Sequence, residues 1–148
     1  MSVRFNYRKV NPTALNAMQT FEQAVSSSGL DKVLYELIKI RASQINGCAY
    51  CIDSHVKDLL QLGEPLERAM LLSVWREIPT YSDKEKAVLE LTEYVVRISD
   101  SGVPQSVYER VREHFSEKEY IDLVMAINAI CSWNRIAIST GMYPGCFD

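Results

Sequence analysis

Apolar residues recur at helical spacing along almost the whole chain, and no segment alternates apolar and polar residues over a convincing strand length. That periodicity restricts the fold to an all-α class, because a 3.6-residue stripe cannot present one face of a sheet. The 148 residues suffice for one domain with a sizeable core and are too few for two comfortable ones. A single domain spanning residues 1–148, with six to seven helices, is expected.

The helix boundaries follow from local chemistry. Residues 13–30 read as a helix after Pro12, closed by a serine-rich stretch and Gly29. Asp31 is a side-chain cap for residues 32–45, which place Leu34, Leu37, Ile38 and Ile45 near one face and stop at Asn46-Gly47. A cysteine-bearing segment runs to Gly63. Residues 64–79 start with Pro65 in a first-turn position and end at Pro79. Residues 82–99, capped by Ser82 or Asp83, carry the stripe Ala87, Leu91, Tyr94, Val95 and Ile98. A shorter helix over residues 103–115 has Pro104 at its start. Ser116 and Glu119 form a capping box for a last helix reaching Gly141. That helix is apolar around most of its circumference, so it is either the central core helix or is covered by a second copy of the chain.

Composition excludes several partners. With a net charge of −3 and no lysine or arginine block, the chain has no electrostatic basis for binding nucleic acid or an anionic membrane. No continuous apolar run approaches the roughly 20 residues needed to span a bilayer. The polar start lacks a signal-like apolar segment, so a cytoplasmic location with reduced thiols is expected.

The segment INGCAYCIDSHVKDLLQLG, residues 45–63, holds the chemistry. If a helix begins near Asn46 or Gly47, Cys48, Cys51 and His55 fall at i, i+3 and i+7, within about 60° of one another. Imidazole and thiol one turn apart suit thiolate chemistry, with the second cysteine ready to condense with whatever forms on the first. Zinc is a rival, since C-x-x-C is half of a structural site, but Cys131, Cys146 and His114 are isolated in sequence and no second half exists. Covalent haem requires histidine directly after the second cysteine, where Ile52 stands. A purely structural disulfide would close a very small loop and restrain the unfolded chain little. Two buried, inert cysteines are a further alternative.

These residues resemble the AhpD-like alkyl hydroperoxidases of the carboxymuconolactone decarboxylase superfamily. The family motif is glutamate, eleven residues, C-x-x-C, three residues and histidine, matched by Glu36, Cys48, Cys51 and His55. The late stretch AINAICSWNRIAIST, with Asn128, Asn134 and Arg135, resembles the family's closing helix, and the similarity covers residues 15–142. The resemblance implies an all-helical AhpD-like fold, peroxidase activity on a hydroperoxide, no bound cofactor or metal, and a homo-oligomer, trimeric or hexameric. It implies Cys51 as the peroxidatic nucleophile, Cys48 as the resolving thiol, and Glu36 and His55 as a proton relay. Reduction would come from a dithiol, which for the best-known members is a lipoylated protein. The founding hydroperoxidases are longer and carry a second histidine between the cysteines, where this chain has Tyr50. The superfamily's decarboxylases lack the cysteine pair. A general thiol–disulfide oxidoreductase, which would need neither Glu36 nor His55, and a zinc-stabilised helical module are the alternative functions.

Local physics divides the two cysteines. A helix N-terminus favours a thiolate at Cys48, but typically by only about 0.3–1 kcal/mol. An imidazolium one turn from Cys51 can lower its pKa by more. Cys51 is therefore the expected nucleophile, in agreement with the resemblance. Glu36 lies about 100° from Leu37, at the edge of its stripe, and its local pattern alone reads as a solvated surface acid. His114 reads as a cation in the last turn of its helix, Cys131 as a core thiol and Cys146 as a surface thiol. Trp75, Trp133 and the tyrosines read as packing, and Asn134, if buried, requires hydrogen-bond partners.

Overall fold

A computed structural model describes residues 2–148 and is helical with no strand among them. The elements are α1 (Tyr7–Val10), α2 (Pro12–Ser26), α3 (Lys32–Asn46), α4 (Ala49–Gln61), α5 (Leu66–Met70), a 3-10 helix (Leu72–Glu77), α6 (Asp83–Val96), α7 (Ile98–Ser101), α8 (Gln105–Arg112) and α9 (Glu117–Thr140). Several starts are capped by side chains predicted or suited to the role. Asn11, Asp31, Ser82 and Ser116 accept from the backbone N–H groups of Ala14, Leu34, Glu85 and Glu119.

The helix α3 is the hub, packed against α4, α6 and α9. Three apolar clusters meet on it: Leu34, Tyr35 and Ile38 join the first, Leu37 and Ile40 the second, Ala42 the third. Consequently every residue from Leu34 to Ile40 is buried, including Glu36 and Lys39. A one-sided stripe had made Glu36 a surface acid. Enclosure of α3 by elements distant in sequence overturns that reading.

Several boundaries also differ from expectation. The segment 64–79 is not one helix: α5 ends at Met70 and a 3-10 helix follows, with Pro65 at the cap of α5 rather than inside it. Its buried anchors Ala69, Leu72 and Trp75 recur every third residue, the spacing that a 3-10 helix aligns on one side. The next helix breaks at Arg97, and Ile98, expected in the stripe, starts α7 and is 55% exposed. Pro104 caps α8, which ends at Arg112, so His114 lies beyond the helix. The short helix α1 had no signal in the periodicity.

By length and composition α9 could cross a membrane, although it contains no unbroken apolar run. Here it is a core helix against α2, α3 and α6, with Leu123, Ile127 and Ile130 fully buried. It is not covered all round: Ile121, Met125 and Ile138 remain exposed.

Asn134 on α9 is fully buried, and its partners come from α3. The Asn46 amide donates to Asn134 Oδ1 at 3.0 Å, and Asn134 Nδ2 donates to Ser43 Oγ at 3.0 Å. This pair of bonds fixes the C-terminal turn of α3, and with it the start of the cysteine segment. Replacing Asn134 with alanine strands two buried or half-buried polar groups. The Asn134→Ala variant is expected to lose about 1–3 kcal/mol of stability, seen in urea titration as a lower midpoint with an unchanged slope.

Candidate active site

Gly47 ends α3 in the left-handed conformation (φ 73°), and the chain turns directly into α4. Cys48 is the N-cap of α4, not an interior residue as the expected start near Asn46 would make it. Its Sγ accepts from the Cys51 backbone N–H at 3.3 Å, and the two sulfurs lie within disulfide-bonding distance. Both side chains sit in the apolar cluster formed with Ala42, Ile130 and Ala137, at 1% and 4% exposure respectively. Cys48 thus occupies the positive end of α4 and does not line the cavity that Cys51 borders.

His55 stands one turn after Cys51 on α4 and reaches back to α3. Its Nδ1 lies 3.1 Å from Glu36 Oε2 and 3.4 Å from Asp58 Oδ2. The other Glu36 oxygen is 2.7 Å from Lys39 Nζ, and that ammonium lies over the Tyr35 ring, 3.8 Å from its centroid. Burial pushes the Glu36 carboxyl up, but the bond to His55 and the Lys39 ammonium outweigh it and hold the group below the usual carboxylate range. Glu36 is therefore an anion at neutral pH. With Nδ1 committed to the carboxylate, Nε2 is the ring nitrogen left for chemistry. Glu36, His55 and Asp58 also form a possible metal-ligating group, with donor atoms within 4.8 Å. The Lys39 ammonium against Glu36 places a positive charge where a cation would compete.

Cys51 and His55 open onto a cavity of about 500 Å³, whose other walls include Tyr7, Arg8, Tyr50 and Trp133. Glu22 of α2 braces it, accepting from Tyr35 Oη at 2.5 Å and Trp133 Nε1 at 3.2 Å. Hence all four motif residues converge, with Cys51 and His55 on the cavity and Glu36 behind the histidine. The remaining candidates stay outside. His114 is exposed beyond α8; Cys131 is buried, with its thiol pushed up by burial and Asn46 Nδ2 3.5 Å away; Cys146 is half-buried in the C-terminal tail.

Sequence reasoning missed Lys39, Asp58 and Arg8. The first two stand at i+3 from Glu36 and His55, a spacing that puts neighbours on one helix face and could have signalled them. Arg8 reaches the cavity only through long-range docking of the N-terminal segment. There, the Arg4 backbone N–H donates to Thr140 O at 2.9 Å, and Arg4 Nη1 donates to Ser139 O at 3.0 Å.

Comparisons with known proteins identify the family. The profile of the carboxymuconolactone decarboxylase family matches residues 12–94. The uncharacterised protein YdfG of Bacillus subtilis is 45% identical over 141 residues, covering 95% of this chain and 96% of that protein. An alkyl hydroperoxide reductase AhpD of Rhodopseudomonas palustris is 51% identical over 39 residues, which is 26% of this chain and 22% of that one. Among solved structures, ATU0492 of Agrobacterium tumefaciens, a protein of unknown function provisionally assigned to antioxidant defence as AhpD, superposes with a TM-score of 0.94. It is 42% identical and is covered to 99%, over 97% of this chain. The chain is an AhpD-like member of the carboxymuconolactone decarboxylase family.

Proposed function

We propose that this protein is a thiol-dependent peroxidase that reduces an organic hydroperoxide through Cys51 and Cys48. The observation that carries the reading is the asymmetry of the pair: Cys51 lines the cavity beside His55, while Cys48 is buried behind it as a helix cap. A nucleophile must meet substrate, and a resolving thiol must meet the nucleophile.

In the cycle, the Cys51 thiolate attacks the distal oxygen of ROOH. The O–O bond breaks, Cys51 becomes a sulfenic acid, and ROH leaves with a proton delivered from His55 Nε2. Glu36, already ionised, accepts from Nδ1, orients the ring and stabilises its charged form; it does not itself supply the proton. The Cys48 thiol then condenses with the sulfenic acid, releasing water and forming the disulfide. An external dithiol, a lipoyl group on a partner protein being the expected kind, restores both thiols by exchange and leaves as its own disulfide. The setting is antioxidant defence in a reducing cytosol, with no cofactor or metal required. The exposed Ile121 and Met125 of α9 support assembly as a homo-oligomer, a trimer or a hexamer.

A general thiol–disulfide oxidoreductase would have no use for the Glu36–His55 bond, so the two readings separate experimentally. One equivalent of cumene hydroperoxide should consume two thiols per chain in the wild type, with a Cys48–Cys51 disulfide identified by mass spectrometry. Cys51→Ser should form no such link, and Cys48→Ser should stop at a sulfenic acid trapped by dimedone. Two thiols surviving unchanged in the wild type would end the peroxidase reading. His55→Ala should reduce the rate of Cys51 oxidation by about 10²-fold or more, the usual contribution of a placed acid–base group. Glu36→Gln should reduce it by about tenfold, and rates equal to wild type in both variants would remove the relay.

The ionised state of Glu36 has a separate check. Because its pKa lies below the unfolded value, its contribution to stability is present above about pH 4.3 and is lost as pH falls through the folded value. Glu36→Gln should therefore flatten the fall of unfolding free energy with acidification below about pH 5, measured by denaturant titration at several pH values.

A further inference from the structure

The cavity at Cys51 holds a cation with no acidic partner. Arg8, carried by α1, lines the cavity, and among the described residues no carboxylate lies within ion-pairing distance of its guanidinium. Its polar neighbours are phenols: Nη2 lies 3.4 Å from the Tyr50 oxygen and the Tyr7 hydroxyl is a further hydrogen-bonding neighbour, while the Tyr7 and Phe147 rings lie 5.8 Å and 5.4 Å from the guanidinium. Glu22, the acid on the same wall, has each carboxylate oxygen taken by an internal donor, Tyr35 and Trp133. The lining also includes the apolar Leu15, Trp133, Ile136 and Met142, with Gln19 and Ser54 as its uncharged polar members.

We infer that Arg8 forms an anion subsite selecting hydroperoxides that carry a carboxylate on an apolar body. The inference rests on the peroxidase reading for the reaction and on the cavity alone for binding. The carboxylate pairs with the guanidinium in a bidentate fork, the hydrocarbon lies along Leu15, Trp133 and Ile136, and the peroxide reaches Cys51. Tyr50 links the two ends, since it directly precedes Cys51 in sequence and its phenol oxygen lies 3.4 Å from Arg8 Nη2. A volume of about 500 Å³ lies in the range for small organic ligands. Arg8 is exposed on its outer side, so the pairing is partly screened and a preference of about tenfold is expected, the low end for a charge-assisted pair.

Two measurements test the proposal without depending on one another. Decanoate and 1-decanol are titrated into the protein with its cysteines oxidised, and intrinsic fluorescence reads Trp133 in the cavity wall. Decanoate should bind about tenfold more tightly than decanol, the difference should shrink to within about twofold in Arg8→Gln, and Arg8→Lys should restore part of it. Separately, the ratio of kcat/KM for hydroperoxy-linoleic acid over its methyl ester should fall about tenfold in Arg8→Gln. Equal binding of decanoate and decanol to the wild type, or a difference unaltered by Arg8→Gln, overturns the anion subsite whatever the peroxidase activity. Arg8-dependent decanoate binding in a protein that reduces neither hydroperoxide sustains the subsite and defeats the peroxidase reading instead.

Discussion

The hydrogen bond between Glu36 and His55 joins the two helices on which the site is built. A carboxylate enclosed on all sides is costly to ionise unless charge and hydrogen bonds compensate it. Here the compensation comes from two directions: Lys39 lies on the same helix one turn on, and His55 reaches across from α4. The ammonium is itself buried against the Tyr35 ring, so the pair is shielded from water. Removing one member leaves the other charge uncompensated. The arrangement therefore fixes the ring of His55 before any substrate arrives, and the position of Cys51 one turn earlier on α4 follows from the helix itself.

Much of this was legible in the sequence because it is local. Caps at Asp31, Ser82 and Ser116, the stop at Gly47 and the spacing of Cys51 to His55 are set by neighbours within a turn or two. Reading the residues alone misplaced Glu36, since the stripe on α3 looks one-sided until α4, α6 and α9 close around it. Family resemblance corrected the position through a fixed spacing, not through any physical signal in the residues around Glu36. The break after Met70 and the exposure of Ile98 went unread for a related reason: both reflect where the chain finds its tertiary anchors, not helix propensity.

The two cysteines illustrate how one turn of backbone gives neighbouring thiols different surroundings. Cys48 receives the electrostatic benefit of the helix start yet has no access to the cavity; Cys51 has access and the histidine. Neither cue alone decides reactivity. A thiolate favoured by a dipole but walled off by Ala42, Ile130 and Ala137 is suited to reacting with a neighbour. Tyr50, standing between them in sequence, turns outward to the N-terminal segment and ties the motif to a part of the chain that its local pattern never implicated.

That segment decides how the site is walled. Glu36 and His55 are carried by α3 and α4, whereas the cavity's other walls draw on Tyr7 and Arg8 of α1, on α2 and α9, and on Met142 just beyond α9. The N-terminal residues are seated by Arg4 on the end of α9, where Gly141 leaves room that a Cβ would fill, 2.9 Å from Ser2 O. A side chain at position 141 would therefore unseat this segment, and the Tyr7 and Arg8 wall with it, while leaving the Glu36–His55 contact between α3 and α4 untouched.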